Sequence, residues 1–368
     1  MLDFLISYGI FLLKTLTLLV VFLLAVGGLL FLLARSRESV RDEGQIEITH
    51  LSDELDDYQD LLLQETLTST AYKVHKKAEK KADKERAKVE KKALKRRAKK
   101  LKTDEGAEEE TEPRLFVVYF EGDIEATEVE NLRECITAIL GVANGRDQVL
   151  VVIESAGGYV HSYGLASAQL ERLRSQGIPL TVAVDGIAAS GGYMMACVAN
   201  TIIAAPFAVI GSIGVIAELP NFHRLLKKHD VDYELHTAGK YKRTLSVMGE
   251  NTEPLRRKFV EELEDVHTLF KNHVAHYRGE QCDINHIATG EHWHGIQALE
   301  LGLVDKLQVS DDYILSFHQK GKGKVYQIEY TYPESWIDKL STKFGLGLSK
   351  LGDKLWRRWM AGRYSKAI

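Results

Sequence analysis

Residues Gln148–Gly158 read QVLVVIESAGG: five uncharged aliphatic residues run straight into a carboxylate, a serine and two glycines. An apolar run this short, rich in valine and closed by glycines, reads as a strand buried on both faces rather than as a helix. Upstream, RLFVVYFEG (Arg114–Gly122) has the same texture, and the intervening EATEVENLRECITAILGVA (Glu125–Ala143) spaces its apolar residues as a helix does. Downstream the alternation continues. YGLASAQLERLRSQG (Tyr163–Gly177) reads as a helix and PLTVAVDG (Pro179–Gly186) as a strand. A helix is predicted from about Ser190, and NTIIAAP (Asn200–Pro206) reads as a further strand. Strands alternating with helices predict an α/β fold of parallel βαβ units that starts near residue 114 and runs to about residue 335.

The flanks differ in kind. Thr15–Ala34 holds 20 residues without a charge, the length a helix needs to cross a hydrocarbon core. It is too long for the apolar part of a signal peptide and is followed by Arg35, Arg37 and Arg41, so it reads as a retained membrane anchor after a short N-terminal segment, residues 1–14. Those arginines favour a cytoplasmic carboxyl side. Residues 35–113 read as a charged, partly helical spacer. Between Lys73 and Lys102 there are 16 Lys or Arg against 4 Asp or Glu, and an acidic TDEGAEEETE (Thr103–Glu112) follows, so the net charge of −4 sums opposed blocks. The basic run suits a solvated helix or contact with anionic lipid. It lacks the aromatic interleaving of a nucleic-acid binder, and no nucleic-acid partner is expected. Residues 336–368 form a basic amphipathic tail whose tryptophans suit either a membrane surface or a frayed terminus.

In open α/β sheets, functional groups gather at the carboxyl ends of strands, beside helix N-termini. Two such ends stand out. In ESAGGY (Glu154–Tyr159) consecutive glycines leave backbone amides accessible, although a tight turn needing positive φ explains them equally. In DGIAASGGYMMACVAN (Asp185–Asn200), Ser190 follows a strand and precedes Gly191 and Gly192. Taken alone Ser190 is an N-cap; with both ends together, a nucleophile meets amide donors for an oxyanion. A serine also needs a base. None of the 13 histidines is singled out by its context. His292 with His294, and His273 with His276, could each begin a metal site, but no third ligand accompanies either pair. HTAGKYKRTLS (His236–Ser246) offers Lys240 and Lys242, between which spacing does not choose. A lysine base would need its pKa lowered by about 3 units from about 10.4. The three cysteines, Cys135, Cys197 and Cys282, form no disulfide framework or redox motif.

Four segments together resemble the signal peptide peptidase A family of membrane-bound serine proteases. They are DGIAASGGYMMACVANTIIAAPFAVIGSIGVI (Asp185–Ile216), ESAGG, GKYKR (Gly239–Arg243) and ATGEHWHGIQALELGLVDKL (Ala288–Leu307). The resemblance implies a ClpP/crotonase-like fold of repeated ββα and βαβ units and a Ser-Lys dyad that needs no metal or other cofactor. Carried over motif by motif, it makes Ser190 the nucleophile, Lys242 the general base, Ser212 a residue that orients the lysine, and Gly157 and Gly191 the oxyanion donors. It implies peptide or protein substrates and a homo-oligomeric ring in which serine and lysine come from neighbouring subunits. It also implies a bacterial inner membrane with the catalytic domain outside the cytoplasm, against the bias of the arginines. The family often has Asp-Ser-Pro-Gly-Gly where this chain has Glu154–Gly158, so a proline φ lock is missing. An acyl-CoA enzyme of the crotonase type or a non-catalytic scaffold would share the fold. The SGGY and GKYK segments argue against the first, and intact Ser190 and Lys242 against the second.

Overall fold

The structure is a computed structural model describing residues 6–19, 21–22, 44–100, 113–319 and 323–332. Most of the expected span 15–34 and the whole of the tail 336–368 lie outside the described residues. Among the described residues no helix is long and apolar enough to cross a membrane. The chain divides into two units, Met1–Gln45 with Thr331–Ile368, and Ile46–Tyr330. Of the first, residues 6–19 and 21–22 are helical.

Ten described strands form one sheet: β1 (Gln45–Thr49), β2 (Arg114–Gly122), β3 (Gln148–Ser155), β4 (Leu180–Val184), β5 (Ile187–Ala189), β6 (Thr201–Ala204), β7 (Val209–Gly211), β8 (His292–His294), β9 (Lys306–Leu307) and β10 (Lys324–Thr331). The main path runs β1-β10-β2-β3-β4-β6-β9, and a branch leaves β3 through β5 and β7 to β8. From β10 to β9 every pairing on the main path is parallel.

The inner strands β2, β3, β4 and β6 are largely buried on both faces, as their apolar runs require. Side chains on a strand alternate between faces, and here the alternation sorts them into two cores. Leu115, Val117, Leu150, Val152 and Ala183 join one, packed against Ile314 and Phe317. Phe116, Val118, Val149, Val151 and Val182 join the other. That second face is covered by helices including α3 (Val129–Leu140), α4 (Val160–Ser175) and α5 (Gly191–Ala196). In α4 the buried Tyr163, Ala166, Ser167, Leu170 and Leu173 repeat at three- and four-residue intervals, one stripe of the helix.

Part of the stretch read as spacer belongs to the sheet. β1 lies beside β10, and α1 (Leu51–Thr66) sets Leu51 and Leu55 against the core that includes Ile314 and Phe317. Buried Ser52 accepts a hydrogen bond through Oγ from the Val325 amide at 2.8 Å. A five-residue strand and a single leucine pair give too short a window for periodicity to register. Next comes α2 (Ser69–Lys100), tied to α1 where Asp60 accepts from Tyr72 Oη at 3.0 Å and pairs with Lys76 at 2.8 Å.

The start of β2 is held by a buried carboxylate. Asp147, fully buried, accepts from the Arg114 amide at 2.9 Å, from its guanidinium at 2.7 and 3.1 Å, and from the Asn144 amide at 2.9 Å. Burial alone would raise this carboxyl group; the hydrogen bonds outweigh it and hold its pKa below the usual value.

Candidate active site

The branch β3-β5-β7 brings three motifs to one edge. Ser155 on β3 pairs with Ala188 on β5, and Ala188 and Ala189 pair with Ile210 and Gly211 on β7, all parallel. Three carboxyl ends therefore meet, carrying Ser155–Gly158, Ser190–Gly192 and Gly211–Ser212.

Ser190 sits between β5 and α5 with φ 51° and ψ −116°. A non-glycine residue is strained there, and the surroundings must hold it. They do so from both sides: the Ser190 amide donates to the Gly211 carbonyl at 2.8 Å, and the Ser190 carbonyl accepts from the Met194 amide at 2.9 Å. Gly191 and Gly192 occupy the first turn of α5, whose amides have no intrahelical acceptor. Gly157 adopts φ 90°, and a Cβ there would lie 2.6 Å from the Gly191 nitrogen and 2.7 Å from Ser190 Cβ. The glycine turn is therefore required by the close approach of its backbone to the serine.

The turn's two amides differ. Gly157 N–H donates to Ser155 Oγ at 3.0 Å. Ser155 Oγ also lies 2.6 Å from Tyr163 Oη, whose own proton goes to the Asp123 carbonyl at 2.6 Å. The Tyr163 ring in turn closes off the space beside Gly191, where no side chain would fit. Neither Gly158 N–H nor Gly191 N–H has an acceptor among the described residues. From sequence Gly157 and Gly158 read alike, as two bare amides with no choice between them, and Tyr163 was not singled out. The Ser155 hydroxyl that engages Gly157, and the Asp123 carbonyl 40 positions before Tyr163, become visible only once β2 and β3 pair.

Ser212 is half-buried with φ 52°, and its amide donates to the Glu291 carbonyl at 2.7 Å. It directly follows Gly211, the backbone partner of Ser190. Lys242 is not brought to this group. It is exposed in a turn closed by its own amide on the Gly239 carbonyl at 3.2 Å, and its ammonium makes no hydrogen bond or ion pair among the described residues. Lys240 lies 4.9 Å from the Tyr241 ring centroid, and its bond to the phenol raises its pKa, the wrong direction for a base.

Behind the serine, α5 and the residues that follow it are held through their carbonyls. Met194 C=O accepts from Ser167 Oγ at 3.1 Å and from His273 Nε2 at 2.9 Å, and Arg174 donates to the carbonyls of Val198 and Ala199 at 2.8 and 3.2 Å. His273 comes from α7 (Glu253–Arg278), the long helix after the His223–Lys228 helix, α6. A carbonyl only accepts, so His273 carries a proton on Nε2. Burial lowers its pKa. Among the described residues no group of three or more His, Cys, Asp or Glu is arranged to hold a metal ion.

A strained serine beside uncommitted backbone amides, at the carboxyl edge of a parallel sheet, is an arrangement that serine hydrolases working by acyl transfer can use. Comparison with known proteins specifies the family. Residues 3–170 match the Peptidase family S49 N-terminal region and residues 172–324 match Peptidase family S49. The chain is 51% identical over 339 residues to a probable protease SohB of Haemophilus influenzae, covering 92% of each. It is 45% identical over 314 residues to a probable protease SohB of Buchnera aphidicola subsp. Schlechtendalia chinensis, covering 85% of this chain and 99% of that one. Among solved structures it is similar to a membrane-bound stomatin-specific protease at 14% identity and TM-score 0.36, over 56% of this chain and 84% of that one. The chain belongs to peptidase family S49, a serine-type protease family, and is most like the SohB proteases.

Proposed function

We propose that this chain is a membrane-anchored endopeptidase in which Ser190 is the nucleophile and Lys242 the general base, acting on signal peptides or other membrane-derived peptides. The observation that carries the reading is the conformation of Ser190, held at φ 51° with Gly157 and Gly191 packed around it. Neutral Lys242 takes the Ser190 proton as Oγ bonds to the peptide carbonyl carbon. The oxyanion is met by Gly191 N–H and by the 157–158 turn, where Gly158 supplies the uncommitted amide. The protonated lysine gives its proton to the leaving nitrogen as the C–N bond breaks. Water, deprotonated by the same lysine, then releases the acyl group as an acid and restores Ser190.

A lysine accepts a proton only when neutral, and burial is what favours that form. The exposure of Lys242 within one subunit supports a ring in which a neighbouring copy covers it, with Ser212 helping to orient it. Exposed Ile216, Leu225, Val231, Leu235 and Tyr241 on the same stretch of chain give such a neighbour an apolar surface. Residues 15–34 anchor the chain in a bacterial inner membrane, with the catalytic unit on the extracytoplasmic side; a side-selective reporter fused after Ile368 tests that topology.

The direct test is cleavage of casein and of a signal peptide by the full chain beside Ser190→Ala and Lys242→Ala. Each substitution is expected to lower kcat by at least about 10³-fold. Parental rates in either variant refute its assignment.

A further inference from the structure

One face of the helix α2 carries lysines and no carboxylate. Lys73, Lys77, Lys80, Lys84, Lys88 and Lys91 follow one another at intervals of four, three, four, four and three, which places them in one row along a helix with 3.6 residues per turn. All six are exposed. Lys88 pairs with Glu85 at 3.0 Å, and the other five make no ion pair among the described residues. Lysines four apart repel one another and weaken a helix. A spacer that only needed solubility would gain by mixing the signs around its circumference; a row of one sign is stabilised when anions cover it.

We propose that this row docks on an anionic phospholipid surface. The inference rests on the reading of residues 15–34 as an anchor, which puts Lys73 39 residues and Lys91 57 residues along the chain from the end of that span. An extended row fits a plane of head groups, each lysine drawn to anionic lipid over a distance set by salt screening. The other anion at hand is the chain's own Thr103–Glu112, which lies between α2 and β2 in sequence; crosslinking distinguishes it from lipid.

The full chain is placed in nanodiscs of phosphatidylcholine, with or without phosphatidylglycerol, and its lysines are acetylated and quantified one by one. With about 30% phosphatidylglycerol, labelling of the row is expected to slow by at least about 3-fold and to recover in about 0.5 M salt. Lys227 and Lys228 of α6, exposed outside the row, should label equally in both discs. Replacing Lys77, Lys80, Lys84, Lys88 and Lys91 by Gln should abolish the protection left at Lys73 and leave casein cleavage unchanged. Equal labelling in the two lipid compositions overturns the proposal. So does protection independent of lipid and accompanied by zero-length crosslinks from the row to Glu108–Glu112, which would assign the face to the acidic segment. A chain that enters neither disc removes the anchor and the docking together. Labelling does not depend on turnover, so failure of the Ser190 assignment would leave this result standing.

Discussion

Ser190 holds a backbone conformation that glycine adopts freely and serine does not. Ser190→Gly should therefore be inactive yet more stable than Ser190→Ala, by about 1 kcal/mol. Denaturant unfolding of the two variants checks this, and equal midpoints and slopes would show that the position stores no strain. The residue was legible because its signature is local: small residues on both sides of a serine at a strand end. Gly157 and Gly191 stood out as glycines at strand ends and Ser212 through the family resemblance alone; the structure gathers all three at the sheet edge that carries Ser190, and their roles are those proposed above. What could not be read was the division of labour between Gly157 and Gly158. It depends on a side chain two positions away, Ser155, which is itself engaged by Tyr163.

At the scale of the element, α5 is six residues long and too short to persist alone. Its position depends on Ser167, Arg174 and His273. We expect His273→Ala to lower kcat about 3- to 10-fold with KM within about twofold, since a small displacement of the nucleophile affects the reacting geometry more than binding. His273→Gln, which retains a donor, should recover most of the loss; an equal loss in both variants would remove the carbonyl contact as its cause. The pH dependence follows from sign. The His273 pKa is lowered in the folded state, so the unfolded chain binds the proton more readily. Its contribution to stability is fully present above the usual histidine value of 6.5 and is lost as pH falls through the lowered folded value. Asp147, also lowered, acts in the same direction further into acid. Thermal melts between pH 7 and 5 should therefore fall less steeply for His273→Gln than for the parent. From sequence, His273 and His276 were a candidate metal pair, because spacing reveals a helix face and not the carbonyl it meets.

Across the whole molecule, the dyad as proposed needs more than one subunit. Mixing Ser190→Ala with Lys242→Ala chains, each inactive, should restore activity, because a Ser190 on one chain then meets a Lys242 on its neighbour. Random mixing around a closed ring would complete about a quarter of the sites. A mixture as inactive as its components would confine both groups to one chain. The alternating strands and helices after residue 114 were legible because parallel strands need apolar runs and helices need a stripe. The edge formed by β1 and α1 was not, because five strand residues and two leucines acquire meaning only beside β10.

That edge also sets an order in time. β10, the last described strand, lies between β1 and β2, and Ser52 meets Val325 across 273 positions of chain. During synthesis β2 therefore keeps one side unpaired until residues 324–331 have emerged. At common translation speeds that interval is on the order of tens of seconds. The nascent sheet carries an open edge throughout that interval, and the strand that closes it is among the last to be made.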